Sequence, residues 1–94
     1  MNEAVVVTIH PPPETHSDFA KQAGAMTRET RSHPGCLAAH LCDAPERGEI
    51  VIFQLWTDSQ AQIDYLSWRA EKGDFDKLSE LLEIEPDFRT YRCE

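Results

Sequence analysis

Several protein classes are excluded by what this 94-residue sequence has little of. Its three cysteines, Cys36, Cys42 and Cys93, form no CxxC pair, and an odd count leaves at least one thiol free, which fits a reducing compartment. If Cys36 and Cys42 share a strand they stand about 20 Å apart on one face, because each residue rises roughly 3.3 Å, so they neither bridge nor share a metal. No two histidines occur at HxxxH or HxH spacing, and no carboxylate pair converges with them, so a zinc or iron site is not expected. A serine or cysteine nucleophile would lack its turn motif. Positive charge is also scarce: nine Lys and Arg against 17 Asp and Glu give a net charge of −8, which repels phosphate backbones and anionic lipid. Nucleic acid and membrane are therefore not expected as partners. The longest apolar runs, Ala4 to Val7 and Ile50 to Phe53, are too short to span a bilayer, and the N-terminus lacks a basic-then-apolar leader. The expected location is the cytoplasm.

What remains is a chain with 40% hydrophobic and 28% charged residues, the composition of a small folded protein with a well-solvated surface. No repeat, low-complexity tract or linker divides it, so residues 1–94 are read as a single domain. The β-branched run Ala4 to His10 predicts a first strand, stopped by Pro11-Pro12-Pro13. Thr15 and Asp18 resemble a capping box, and Phe19, Ala23, Met26 and Thr30 follow at helical spacing to about Arg31. His33-Pro34-Gly35 ends that helix. Cys36 to Asp43 and Glu49 to Thr57 read as strands joined across Ala44 to Gly48. Thr57, as cap, with Gln60 three residues on, opens a second helix to about Lys72. After Gly73 come a further helical turn or two, a break at Pro86 and a last strand, Phe88 to Cys93.

The order β-α-β-β-α-β is the ferredoxin-like arrangement, an α+β fold with two helices on one face of a four-stranded antiparallel sheet. The strand Ile50 to Trp56 is apolar on both faces apart from Gln54, and no sequence remains for a second helical layer. A lone copy would expose an apolar sheet, so back-to-back pairing into a homodimer is expected. The second helix carries two apolar stripes, Ala61, Tyr65 and Trp68 on one side and Ile63, Leu66 and Ala70 on the other. The Tyr65 and Trp68 side is expected to wall a cavity. The acidic run Glu80, Glu83, Glu85 and Asp87 reads as a solvated face.

The stretch His33-Pro34-Gly35-Cys36-Leu37, followed by Ile50 to Trp56 closing on Thr57-Asp58-Ser59-Gln60-Ala61, resembles the antibiotic-biosynthesis monooxygenase domains. In these a Pro-Gly strand start and an apolar strand ending in Trp precede a helix that often opens Asp/Glu-Ser. The resemblance implies a dimeric α+β barrel that oxidises an electron-rich aromatic molecule of hydroquinone or anthrone type with molecular oxygen, without metal, flavin or nicotinamide. Haem-degrading relatives use an Asn on the first strand and a His on the second helix. The predicted first strand has no Asn and the helix reads Tyr65-Leu66-Ser67-Trp68-Arg69, which disfavours haem degradation.

Cofactor-free oxygenation needs a surface to stack the ring, which Trp56 and Trp68 would supply. Tyr65 would donate a hydrogen bond, Arg69 would stabilise a phenolate and His40 would take the proton. Gln54, the polar residue of an otherwise apolar strand, needs a partner in a ligand or across a dimer. Each has a plainer reading: Trp56 as core and interface, Tyr65 and Trp68 as helix packing, Arg69 as a solvated cation, His40 as a structural histidine. The alternative function is a non-catalytic dimeric domain that binds a small hydrophobic or signalling molecule. The two readings differ in where the polar groups lie. Catalysis expects His40 or Arg69 in the same pocket as Trp56 and Tyr65.

Overall fold

The β-branched run near the N-terminus forms the first strand, β1 (Asn2–Ile9), in a computed structural model that describes residues 1–94. The chain continues through α1 (Pro13–Thr30), β2 (Cys36–Ala44), β3 (Glu49–Trp56), α2 (Ser59–Lys72), a short α3 (Asp74–Ser79) and β4 (Asp87–Cys93). The strands lie in the order β2-β3-β1-β4 and all neighbours are antiparallel, so the ferredoxin-like topology is present. The same fold orders both halves of the chain around a central β1–β3 pair.

Local chemistry differs from the sequence reading at both helix starts. Pro12 precedes α1 with no side-chain cap, because Pro13 at the first position has no N–H to satisfy and already holds a helical φ. The Thr15 hydroxyl instead donates to the Leu81 carbonyl at 2.8 Å, tying α1 to the segment after α3. At α2 the cap is Asp58, not Thr57: its carboxylate accepts from the Ala61 N–H at 2.8 Å. The Thr57 N–H donates to the Gly35 carbonyl at 2.9 Å, which staples the turn before β2 onto the end of β3. Gly35 has φ +84°, and a Cβ there would stand 2.5 Å from the Ala61 Cβ, so both backbone and space demand glycine.

Because paired residues of neighbouring strands share a face, the register sorts β3 cleanly. Ile50, Ile52, Gln54 and Trp56 point toward the helices. Val51, Phe53 and Leu55 point the other way, alongside Val6 of β1 and Tyr91 of β4. No layer covers that second face within one chain, and Tyr91 is 49% exposed. β1 begins at Asn2, so the first strand does contain an asparagine. It pairs with Cys93, is exposed, and lies on the face away from the helices.

Two buried clusters lie under the helices. One gathers Ile9, Phe19, Ala23 and Ile50, with Leu78, Leu81 and Leu82 against them. The other gathers Val5, Trp56 and Tyr65, with Leu66 and Trp68 at its margin. No helix is long and apolar enough to cross a membrane.

Candidate functional site

A cavity of about 380 Å³ lies between the two clusters, within the range of small-ligand pockets. Its floor is the helix-facing side of the central strand pair: Val5, Val7 and Ile9 of β1 with Ile52 and Gln54 of β3. Phe19, Ala23, Met26, Thr27 and Thr30 of α1 make one wall, since this i, i+4, i+7, i+8, i+11 set is a single helix face. Tyr65 and Leu66 of α2 make the second wall. The segment after α2 closes the remaining side with Phe75, Leu78, Ser79, Leu82, Pro86 and Phe88. No charged side chain and no histidine line the cavity.

The polar groups at one end form separate hydrogen-bonded sets. Trp56, fully buried, donates its Nε1–H to Gln54 Oε1 at 3.1 Å. Tyr65 Oη lies 2.8 Å from Thr30 Oγ1 and accepts from Arg69 Nε at 2.9 Å. Thr30 in turn donates to the Met26 carbonyl at 2.9 Å, and Thr27 to the Ala23 carbonyl at 2.8 Å.

Arg69 is the hub and is fully buried. Its Nη1 donates to Glu29 at 2.9 Å and Asp74 at 2.8 Å, and its Nη2 donates to the Met26 carbonyl at 2.8 Å. It thus clasps α1, α2 and the start of α3. Burial works against its charge, but the bonds from Tyr65, Asp74 and Glu29 outweigh that cost and hold the guanidinium above its ordinary pKa. The same bonds, led by the hydrogen bond to Arg69, hold the carboxyls of Glu29 and Asp74 below their ordinary values.

Of the six residues the sequence nominated, Tyr65 and Gln54 line the cavity. Trp56 and Arg69 stand behind these two and touch them through hydrogen bonds. Arg69 is therefore not a solvated cation, and it offers no free face to a ligand. Trp68 is outside. It borders a separate, more open hollow with His33, Pro34 and Gly35, its ring 4.3 Å from that of His33. The cation of Lys72 sits 4.4 Å from its centroid. Tyr65 is shared by both hollows.

His40 does not join the group. It pairs with Phe53 and so points to the open face of the sheet, exposed, with the sheet between it and the cavity. The period of β2 placed Ala39 and Leu41 inward, and His40 between them had to face out. The doubled stripe of α2 also resolves differently: Gln62, Tyr65 and Arg69 are its buried residues, Leu66 reaches the cavity, and Ile63 is 49% exposed.

Sequence reasoning missed the α1 wall and the closing segment. Thr27 and Thr30 sit on the same stripe as Phe19 and Ala23, and a threonine recurring on an apolar face was the available signal. Nowhere do three or more His, Cys, Asp or Glu side chains gather as a metal site would require.

A sheet with helices on one side and an apolar pocket between them defines an α+β domain of ferredoxin-like topology. Residues 4–73 match the family model described as antibiotic biosynthesis monooxygenase, and the chain belongs to that family. The match stops before α3, so the segment that closes the cavity lies outside it. No curated protein matches the sequence. Among solved structures, a conserved protein from Methanosarcina mazei Go1 superposes with a TM-score of 0.88 at 22% identity, covering 100% of this chain and 94% of the other. Rv0793 from Mycobacterium tuberculosis gives 0.80 at 24% identity, with 100% and 96% coverage. A Streptomyces coelicolor monooxygenase, ActVA-Orf6, in complex with nanaomycin D gives 0.79 at 20% identity, with 99% and 88% coverage. These likenesses establish the fold.

Proposed function

We propose that the protein is a cofactor-independent monooxygenase acting on a small aromatic substrate of hydroquinone or anthrone type. The observation that carries this reading is the apolar cavity with few polar groups in its lining, in a chain of the antibiotic biosynthesis monooxygenase family. The Streptomyces relative, crystallised with nanaomycin D, is consistent with a ring system as ligand.

Such a reaction needs little from the protein. An anthrone-type CH₂ becomes C=O when one atom of O₂ enters the substrate and the other leaves as water, with the electrons drawn from the ring system itself. Apolar walls from β1, β3 and α1 hold the ring and keep water from the reactive carbanion or radical. Gln54 and Tyr65 contact the substrate's oxygens. Arg69 and Trp56 act through them as positioning residues. His40 has no part in this scheme, since the sheet separates it from the cavity.

A second reading is favoured by one feature: neither His40 nor Arg69, one of which catalysis was expected to place in the pocket, lines the cavity, and Tyr65 is the lone ionisable side chain there. A non-catalytic domain that carries a small hydrophobic molecule needs no base. Oxygen uptake with a panel of hydroquinones and anthrones, with chelator present and no flavin or nicotinamide added, separates the two. Turnover that falls in Tyr65→Phe supports the oxygenase, whereas ring binding without oxygen consumption supports the carrier.

The open sheet face, with Val6, Val51, Phe53 and Leu55 half-buried and Tyr91 exposed, supports back-to-back pairing of two copies. Sedimentation should then report a dimer that Phe53→Asp converts to a monomer. A monomeric wild type at high concentration overturns the pairing.

A further inference from the structure

We infer that Trp56 sets the orientation of the Gln54 amide, so that the cavity reads a carbonyl on a neutral ring. This rests on the reading of the cavity as a site for a small aromatic ligand. An indole Nε1–H donates and never accepts, so the atom facing it at 3.1 Å must be the amide oxygen of Gln54. The amide NH₂ is thereby turned to the free side. It bonds to no group of the chain, and Gln54 lines the cavity.

The hydroxyls around the cavity have the opposite character. Thr27 gives its proton to the Ala23 carbonyl and Ser79 gives its proton to the Asp76 carbonyl, each at 2.8 Å. Thr30 gives its proton to the Met26 carbonyl. Arg69 Nε can only donate, so Tyr65 Oη accepts from it, and the phenol proton satisfies the remaining short contact by going to Thr30. Every hydroxyl proton at the wall is therefore committed to the chain, and these oxygens offer lone pairs only. One donor, the Gln54 NH₂, stands over a floor otherwise apolar, against acceptors on the helices. With no cation in the lining, an anionic ligand would lose its hydration without a counter-charge. A ring bearing a ketone toward Gln54, and a hydroxyl able to donate toward α1, satisfies every group. Gln54 is the specificity residue and Trp56 its positioning residue.

Calorimetric binding, not turnover, tests this. α-Tetralone and tetralin share one skeleton and differ in a carbonyl against a methylene, and neither needs oxidation to be scored. The wild type should bind the ketone about tenfold or more tightly than the hydrocarbon, since tetralin would cover the Gln54 NH₂ without giving it a partner. Gln54→Met should bring that ratio close to unity while tetralin still binds, which also shows that the variant folds. Trp56→Phe keeps an aromatic ring in place but releases the amide to rotate. Its ketone preference should shrink several-fold with tetralin affinity little changed. α-Naphthoate should bind more weakly than either neutral probe. Equal affinity of the wild type for ketone and hydrocarbon overturns the inference alone, as does full ketone preference in Trp56→Phe. Failure of both neutral probes to bind overturns it together with the small-aromatic reading on which it rests.

Discussion

The two ends of the cavity are built on different physics. Beside Ile9, Phe19 and Ile50 the cavity is bounded by shape alone, and the leucines Leu78, Leu81 and Leu82 fill against them. Beside Trp56 and Tyr65 it is bounded by a hydrogen-bonded frame whose hub is a buried arginine. An apolar wall loses contacts in proportion to the volume removed, whereas a polar frame fails when a single member leaves its partners unsatisfied. The difference predicts which end is fragile and which is forgiving.

Arg69→Ala should be the most damaging change. It empties the place of a fully buried side chain and removes its bonds to Tyr65, Glu29, Asp74 and the Met26 carbonyl, leaving Tyr65 and Met26 with their Thr30 contacts, so a loss of about 4 kcal/mol is expected in denaturant unfolding. An effect under about 1 kcal/mol would show that the frame contributes little to stability. At the dry end, Phe19→Ala should cost about 3 kcal/mol, less than a fully packed phenylalanine would, because one side of the ring already faces the cavity. A bulkier aromatic ligand should then bind better, which titration would reveal; unchanged ligand preference would mean the wall collapses into the space.

Acid should also act on the polar end. Glu29 and Asp74 have folded pKa values below their unfolded values, so their contribution is complete above the unfolded range of about 4 and is lost as pH falls through the folded values. The melting temperature should decline below about pH 4.5, and Asp74→Asn should flatten that decline. The same slope in the variant would place the acid-sensitive contact elsewhere.

The smallest effect is expected from Trp68→Ala. Its ring packs against His33 and the Arg69 and Lys72 cations outside the cavity, so about 1 kcal/mol of stability and almost no ligand affinity should be lost. A large loss of binding would join the outer hollow to the site.

Much of the fold was legible because its signals are local. Pro11-Pro12-Pro13, Gly35, Gly48 and Gly73 mark ends that backbone geometry alone requires, and positive φ is confined to those three glycines. The site was legible only in part. Tyr65 and Gln54 announced themselves as polar groups among apolar neighbours, but His40 was nominated by its chemistry without regard to the period of β2. Arg69 looked like a surface residue because nothing in its own helix reveals Glu29, which is 40 positions away in the chain.

The sequence by itself determined the element order, the antiparallel ferredoxin-like sheet and the two-sided apolarity of β3, since each follows from periodicity, turn chemistry and chain length over short spans. Only the tertiary structure decided which polar groups meet. Trp56 and Gln54 are close in sequence and share a strand face, yet the value of their contact depends on the cavity above them. The clasp of Arg69 on α1, α2 and α3 exists only once three helices are packed. Hydrogen bonds are directional and short-ranged, so no one-dimensional pattern carries them across such separations.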